Sequence, residues 1–170
     1  LLCFTVFLAE GAMLDWSAVF LTTEKQIGEA YAGLGYAAFA LTMTAGRLTG
    51  DTIVRRLGAR RVIVLGGLFA AAGLALATLA PGWEVALAGY ALVGIGCSNI
   101  VPVLYTAVGK QTVMPENIAV PAITTLGYAG ILAGPAAIGF VAHASSLSIA
   151  FLLIAAMLVA VAISGRILKV

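Results

Sequence analysis

The sequence predicts an all-α membrane protein with six transmembrane helices, and three observations carry the prediction. Hydrophobic residues make up 62% of the 170 residues and charged residues 9%, with a mean hydropathy of +1.12, more apolar surface than a soluble domain of this size can bury. The apolar residues fall into six continuous stretches, each near the roughly 20 residues that a bilayer core requires of a helix. Short polar or basic segments separate them. Continuous runs favour helices over a barrel, whose strands would alternate over about ten residues, and a helix satisfies its backbone polar groups internally.

Taken in order, the spans are roughly 1–22, 30–50, 62–80, 85–108, 119–142 and 148–165. The first opens directly at Leu1, with no initiator methionine, basic n-region or small-residue cleavage site, so it does not read as a signal peptide; the chain reads as one entered in the middle. Thr22 to Glu29 is a polar loop before the second span. Gly46 to Arg61, GRLTGDTIVRRLGARR, is a basic connector leading to the third. Pro81-Gly82 is a tight turn before the fourth span, Gly109 to Asn117 a polar stretch before the fifth, and His143 to Ser148 a short turn before the last.

Charge sets the orientation, because short loops rich in Lys and Arg stay in the cytoplasm. Arg47, Arg55, Arg56, Arg60 and Arg61 surround the second connector, Lys110 lies in the fourth, and Arg166 and Lys169 follow the last span; only Lys25 falls on the other side. Both termini are therefore expected in the cytoplasm, with the chain a multi-pass protein of the cell (inner) membrane and the lipid bilayer its surroundings. So short a connector leaves no room for a nucleic-acid docking surface. Cys3 and Cys97 lie inside separate apolar spans and His143 stands alone at a turn, so neither a metal site nor a cofactor is expected. A phosphate-binding Gly-rich loop with Lys-Ser/Thr is absent. The stretch Gly96-Cys97-Ser98-Asn99 lacks the second glycine of a Gly-x-Ser-Gly nucleophile, and no enzymatic activity is expected.

The connector resembles the signature loop of the major facilitator superfamily: Gly, a few residues, Asp, then basic-x-Gly-x-basic-basic. Gly46 and Asp51 match the first part, and Arg56, Gly58, Arg60 and Arg61 the second. Asp51 precedes Gly58 by seven positions rather than three, and Gly46 precedes Asp51 by five rather than four, as though one helical turn had been inserted. That departure fits the looser loop of a C-terminal repeat. The fifth span, GYAGILAGPAAIG, with Gly130, Gly134 and Pro135, is similar to the Gly-Pro-rich helix of the same superfamily, although Gly130-x-x-x-Gly134 is also a general close-packing pattern. The segment AEGAMLDWSAVFL is similar to the seventh span of bacterial members near the fucose permeases. The resemblance covers essentially the whole chain. It implies a C-terminal six-helix half of a twelve-helix fold, a partner N-terminal half, a small-molecule substrate carried between the halves, and a gating loop comprising Gly46, Arg47, Asp51, Arg56, Gly58, Arg60 and Arg61.

The intramembrane polar residues supply the candidates for the substrate and ion pathway. A charge at the bilayer centre costs roughly 2.5–3.5 kcal/mol on insertion scales, and Glu10 lies near the middle of the first span, with Asp15 nearer its outer end. No Lys or Arg lies mid-span, so what offsets Glu10 is expected from the missing half, from hydroxyls, or from protonation of the carboxyl itself, and Glu10 is the candidate that loads and releases a coupling proton. Five positions separate the two acids, about 140° around a helix, so both cannot face one narrow path. In the fourth span Ser98, Asn99 and Tyr105 are polar candidates beside Pro102, whose missing N–H frees the carbonyl of Ser98 and predicts a kink. Asn99 either lines the path or ties two helices together. Tyr36, Thr124 and Tyr128 complete the set, Thr124 and Tyr128 one turn apart on one helix face.

Two other six-span architectures share this number of helices. A permease subunit of an ATP-driven transporter would carry a Glu-Ala-Ala coupling motif in a cytoplasmic loop, but Glu29-Ala30 falls on the outer side. A non-transporting membrane receptor keeps the fold and loses the flux. The orientation is tested by thiol labelling of intact cells in a background lacking Cys3 and Cys97. A cysteine at Thr23 should react with a membrane-impermeant reagent and one at Ala59 should not; the opposite pattern inverts the topology.

Overall fold

The structure, a computed structural model, describes residues 1–166; Lys169, counted above among the basic residues, lies outside them. The described residues form α1 (Leu2–Thr23), a 3-10 turn (Glu29–Tyr31), α2 (Leu34–Leu48), α3 (Gly50–Leu57), α4 (Ala59–Leu79), α5 (Trp83–Cys97), α6 (Ile100–Lys110), α7 (Glu116–Ala144) and α8 (Leu147–Gly165), with no strand among them. Five stretches are long and apolar enough to cross a membrane: Leu2–Thr23, Ala59–Leu79, Trp83–Lys110, Glu116–Ala144 and Leu147–Gly165.

The second expected span, 30–50, differs. Its helix α2 has only 15 residues and ends at Thr49, whose hydroxyl turns back to the carbonyls of Ala45 (2.9 Å) and Gly46 (3.3 Å). A side chain that bonds its own preceding turn competes with the helix ladder. The chain then restarts as α3, so the residues inserted into the connector are helical, and what the sequence presented as a loop is mostly a short amphipathic helix. Gly58 ends it at φ +81°, a left-handed conformation that a side chain would strain, and turns the chain into α4. The fourth span also breaks, at Ser98 and Asn99 between α5 and α6. Pro102 sits in the first turn of α6, where its missing N–H has no helical partner to lose.

With α2–α3 and α5–α6 each counted as one segment, the largest interfaces pair α1 with α7, α2 with α5, and α4 with both α5 and α8. Exchanging the first three segments for the last three preserves the α1–α7, α2–α5 and α4–α8 pairings, the pattern of two intertwined three-helix repeats. Phe20 and Phe151, stacked with centroids 4.9 Å apart, fill the core between α1 and α8.

Close backbone contact between α4 and α5 rests on glycine. Gly66 and Gly73 on α4 face Gly96 and Gly89 on the antiparallel α5, and a Cβ on Gly73 would come within 2.5 Å of the Gly89 carbonyl and 2.8 Å of the Val93 nitrogen. Those obstacles are backbone atoms, which cannot rotate away. At the end of the bundle opposite the arginines, Lys25 donates to the carbonyls of Thr78 (3.0 Å) and Ala80, where α4 runs out of intrahelical donors, and lies 5.3 Å above the Phe20 ring. The basic residue that departs from the charge asymmetry thus caps a helix C-terminus, where a cation is favoured.

α7 is the least covered of the five long apolar stretches, 22% of its span being buried against 56% for α1; Leu132 and Phe140 stand open on it. Gly73→Ala should lower the thermal midpoint of the purified full-length protein, by overpacking worth about 1–3 kcal/mol. Gly33→Ala, at a helical φ with nothing within 4 Å of the new methyl, should leave the midpoint unchanged or slightly raised.

Candidate functional site

Two cavities meet at Arg47. One, of about 260 Å³, lies between α1, α2 and α7 and is lined by Glu10, Leu14, Tyr36, Thr44, Arg47 and Ile131 among others. The other, of about 410 Å³, lies between α3 and α6 and includes Arg47, Asp51, Arg55, Asn99, Thr106 and Lys110. Arg47 projects from the last turn of α2 and its guanidinium reaches Glu10 Oε1 at 3.5 Å, the one ion pair among the described residues. The Glu10 side chain is 13% exposed and that of Arg47 48%, so the carboxylate sits inside the bundle and the guanidinium at the opening.

This pair overturns the expectation that Glu10 has no basic neighbour within the chain. Arg47 was assigned to the connector because it follows the apolar run directly, but α2 carries it past Gly46 and its long side chain reaches back along the bundle to Glu10. Gly46 likewise belongs to α2 rather than to a loop. Asp15 is exposed and lines neither cavity, in keeping with the angular separation of the two acids. Tyr36 lines the smaller cavity beside Phe39, ring centroids 6.1 Å apart.

Asn99 is buried at the helix break. Its amide donates to the Gly46 carbonyl (3.0 Å) and to Ser98 Oγ (2.9 Å), while Ser98 Oγ donates to the Ile95 carbonyl (2.8 Å). The arrangement ties α5–α6 to α2, and Asn99 also forms part of the wall of the larger cavity; the two roles left open by the sequence coexist. Gly46 and Gly50 both pack against this unit, since a Cβ on Gly46 would fall 2.5 Å from Ser98 Oγ and one on Gly50 would strike Asn99 Oδ1. Tyr105 donates to Thr124 Oγ1 (2.9 Å), which donates onward to the Val120 carbonyl (2.8 Å). Thr124 is therefore engaged across α6 and α7, while Tyr128 stacks on Phe7 with centroids 5.8 Å apart.

The family model of the Major Facilitator Superfamily matches residues 1–169. The chain belongs to the major facilitator superfamily. Over 165 residues it is 58% identical to an uncharacterized MFS-type transporter of Yersinia pestis, covering 97% of this chain and 43% of that protein. It is 35% identical to the membrane protein MosC of Rhizobium meliloti, covering 95% of this chain and 40% of that protein. To an uncharacterized transporter of Sinorhizobium fredii it is 32% identical, covering 95% and 43%. The chain thus spans about two fifths of the length of the curated relatives it matches.

In this major facilitator chain the signature residues divide by role. Gly46 accommodates the Asn99 unit, helped by Gly50, which lies outside the signature; Gly58 supplies the turn, and Arg47 enters the bundle. Arg56, Arg60 and Arg61 are exposed, and Asp51 forms no ion pair within 4 Å among the described residues, although it shares the larger cavity with Arg47, Arg55 and Lys110. The glycines of α7 serve packing. Gly130 abuts the Phe4 carbonyl on α1 and Gly134 contacts Leu8, while α7 runs through Pro135 as one helix. Sequence reasoning missed the Glu10–Arg47 pair because the partners are 37 positions apart, beyond any local spacing rule.

The Gly46–Ser98 contact yields a paired test. Gly46→Ala should lower the thermal midpoint of the full-length protein by pushing Ser98 and Asn99 off α2. Ser98→Gly in the same molecule removes both obstructing atoms and should recover more than half of the loss, a positive coupling in a double-mutant cycle.

Proposed function

We propose that the chain is the C-terminal six-helix half of a twelve-helix secondary transporter, akin to the fucose-permease-like members, which moves a small polar solute across the cell membrane by alternating access. In this reading α2 completes the set of six spans, both termini face the cytoplasm, and the N-terminal half of the same transporter covers the open faces of α1, α2 and α7. The pairing of helices as two interleaved triplets supports the rocking of one half against the other around a fixed site.

The observation that carries the mechanism is the Glu10–Arg47 pair lining the smaller cavity. An intramembrane carboxylate is costly without a partner, and here its partner is a half-exposed guanidinium at the cavity mouth. Glu10 is the coupling group. The guanidinium and a proton compete for the same carboxylate oxygen, so the paired and the protonated arrangements differ in charge and in the state they favour. A proton exerts work on such an equilibrium only through this difference between states.

Glu10→Gln preserves shape and fixes the neutral form. In proteoliposomes holding the full-length transporter it should abolish proton-driven accumulation while leaving substrate exchange largely intact, with Asp15→Asn milder. Accumulation against a gradient with the parent's pH dependence would remove Glu10 from the coupling role.

A further inference from the structure

The unpaired side of Arg47 opens onto the larger cavity, and the chemistry there is one-sided. A guanidinium has five N–H donors and no acceptor, yet among the described residues Arg47 makes one hydrogen bond, the 3.5 Å contact with Glu10. Around the same 410 Å³ space stand Arg55 and Lys110, with Asp51 the single acid, and Val54, Pro102, Val103 and Ala107 supply apolar wall. Asn99 has no donor to spare, since its amide is committed to Gly46 and Ser98. The volume lies in the range of small-molecule sites, about 300–1,000 Å³. This wall offers three cationic donor groups against one carboxylate, and its one hydroxyl, on Thr106, already donates to the Pro102 carbonyl and is left to accept; net positive charge, more than the matched donors and acceptors that a neutral polyol needs, dominates the lining.

We infer that the larger cavity is an oxyanion site, in which the carboxylate or phosphate of a small organic solute binds Arg47 in competition with Glu10. The fork of the guanidinium matches a two-oxygen acceptor, and its present contact with Glu10 is long and single, so a ligand oxyanion has both free donors to take and a weak bond to displace. Arg55 and Lys110 add two further positive charges to the lining, and Lys110 makes no hydrogen bond among the described residues. The inference deepens the transporter reading, on which it rests, by naming the charge class of the substrate. It also gives Glu10 a second function, as the internal stand-in that keeps Arg47 occupied when the site is empty.

The test uses the full-length protein in nanodiscs of phosphatidylcholine, titrated calorimetrically with gluconate, inorganic phosphate and, as the neutral match to gluconate, glucose. Gluconate or phosphate should bind and glucose should not. Lys110→Gln should weaken binding at least threefold and Arg47→Gln tenfold or more. Glu10→Gln should tighten binding at least threefold by removing the competitor, whereas a purely structural pair would give no gain. Because Arg47→Gln leaves Glu10 unpaired, the double variant Glu10→Gln with Arg47→Gln, which removes both charges together, must also lose anion binding while retaining the parent's thermal midpoint within a few degrees. Equal binding of glucose and gluconate, or unchanged anion binding in the double variant, overturns the site. Loss of all anion binding in phosphatidylcholine, with stabilisation only by added phosphatidylglycerol, assigns the cations to a lipid headgroup and overturns the solute. These outcomes are independent of proton-driven accumulation, so failure of the substrate class is distinguishable from failure of the coupling role.

Discussion

One amide holds the arginine end of the molecule together. At the break between α5 and α6, where a span inside lipid would otherwise expose backbone groups, Asn99 donates to Gly46 on α2 and to its neighbour Ser98. The residue after Gly46 is Arg47, so this bond fixes the height and rotation at which the guanidinium leaves α2. The Glu10 contact, the junction of the two cavities and the restart of the chain as α3 are all downstream of it. Glycine at 46 and 50 makes the approach possible, and any larger residue there would trade the bond for a clash.

The same economy of small residues governs the rest of the packing. Helices in a bilayer gain nothing from hiding apolar surface from water, so close backbone approach and a few polar ties have to hold them. Glycines set the α4–α5 crossing and the seat of α7 on α1, and Thr42 adds a tie from α2 to the Ala91 carbonyl of α5 at 2.8 Å. The polar residues of the bundle are consequently of two kinds. Asn99 and Tyr105 spend hydrogen bonds on neighbouring helices, and Ser98 and Thr124 receive those side chains while donating to carbonyls of their own helices, whereas Glu10, Tyr36 and Arg47 face open volume.

Much of this was legible in the sequence. The apolar runs gave the helices because their signal is long and continuous, and the Pro102 stretch announced a break because a missing N–H is a local fact. The shortening of the second span was not legible, since Thr49 ends α2 through a hydroxyl bond that any threonine can make or forgo. Glu10 was visible as an expensive residue, but its partner was not, because pairing across 37 positions depends on how α1 and α2 are aligned in space. The connector illustrates a limit of motifs: its residues were recognisable as a set, yet Gly46 answers to the Asn99 unit, Gly58 makes a turn and Arg47 answers to Glu10, while Gly50, which the motif did not single out, packs on Asn99 as closely as any.

Lys25 offers a final consequence. Its ammonium joins the α1–α2 loop to the end of α4 through carbonyl oxygens, with no carboxylate in the joint. Acid that would dissolve a lysine–glutamate bridge finds nothing here to protonate. On the face that the proposed orientation turns away from the cytoplasm, where acidity follows the surroundings and not the cell, this joint between the α1–α2 loop and α4 is indifferent to that variation, unlike the Glu24 carboxylate that accepts from Ser148 at the same rim.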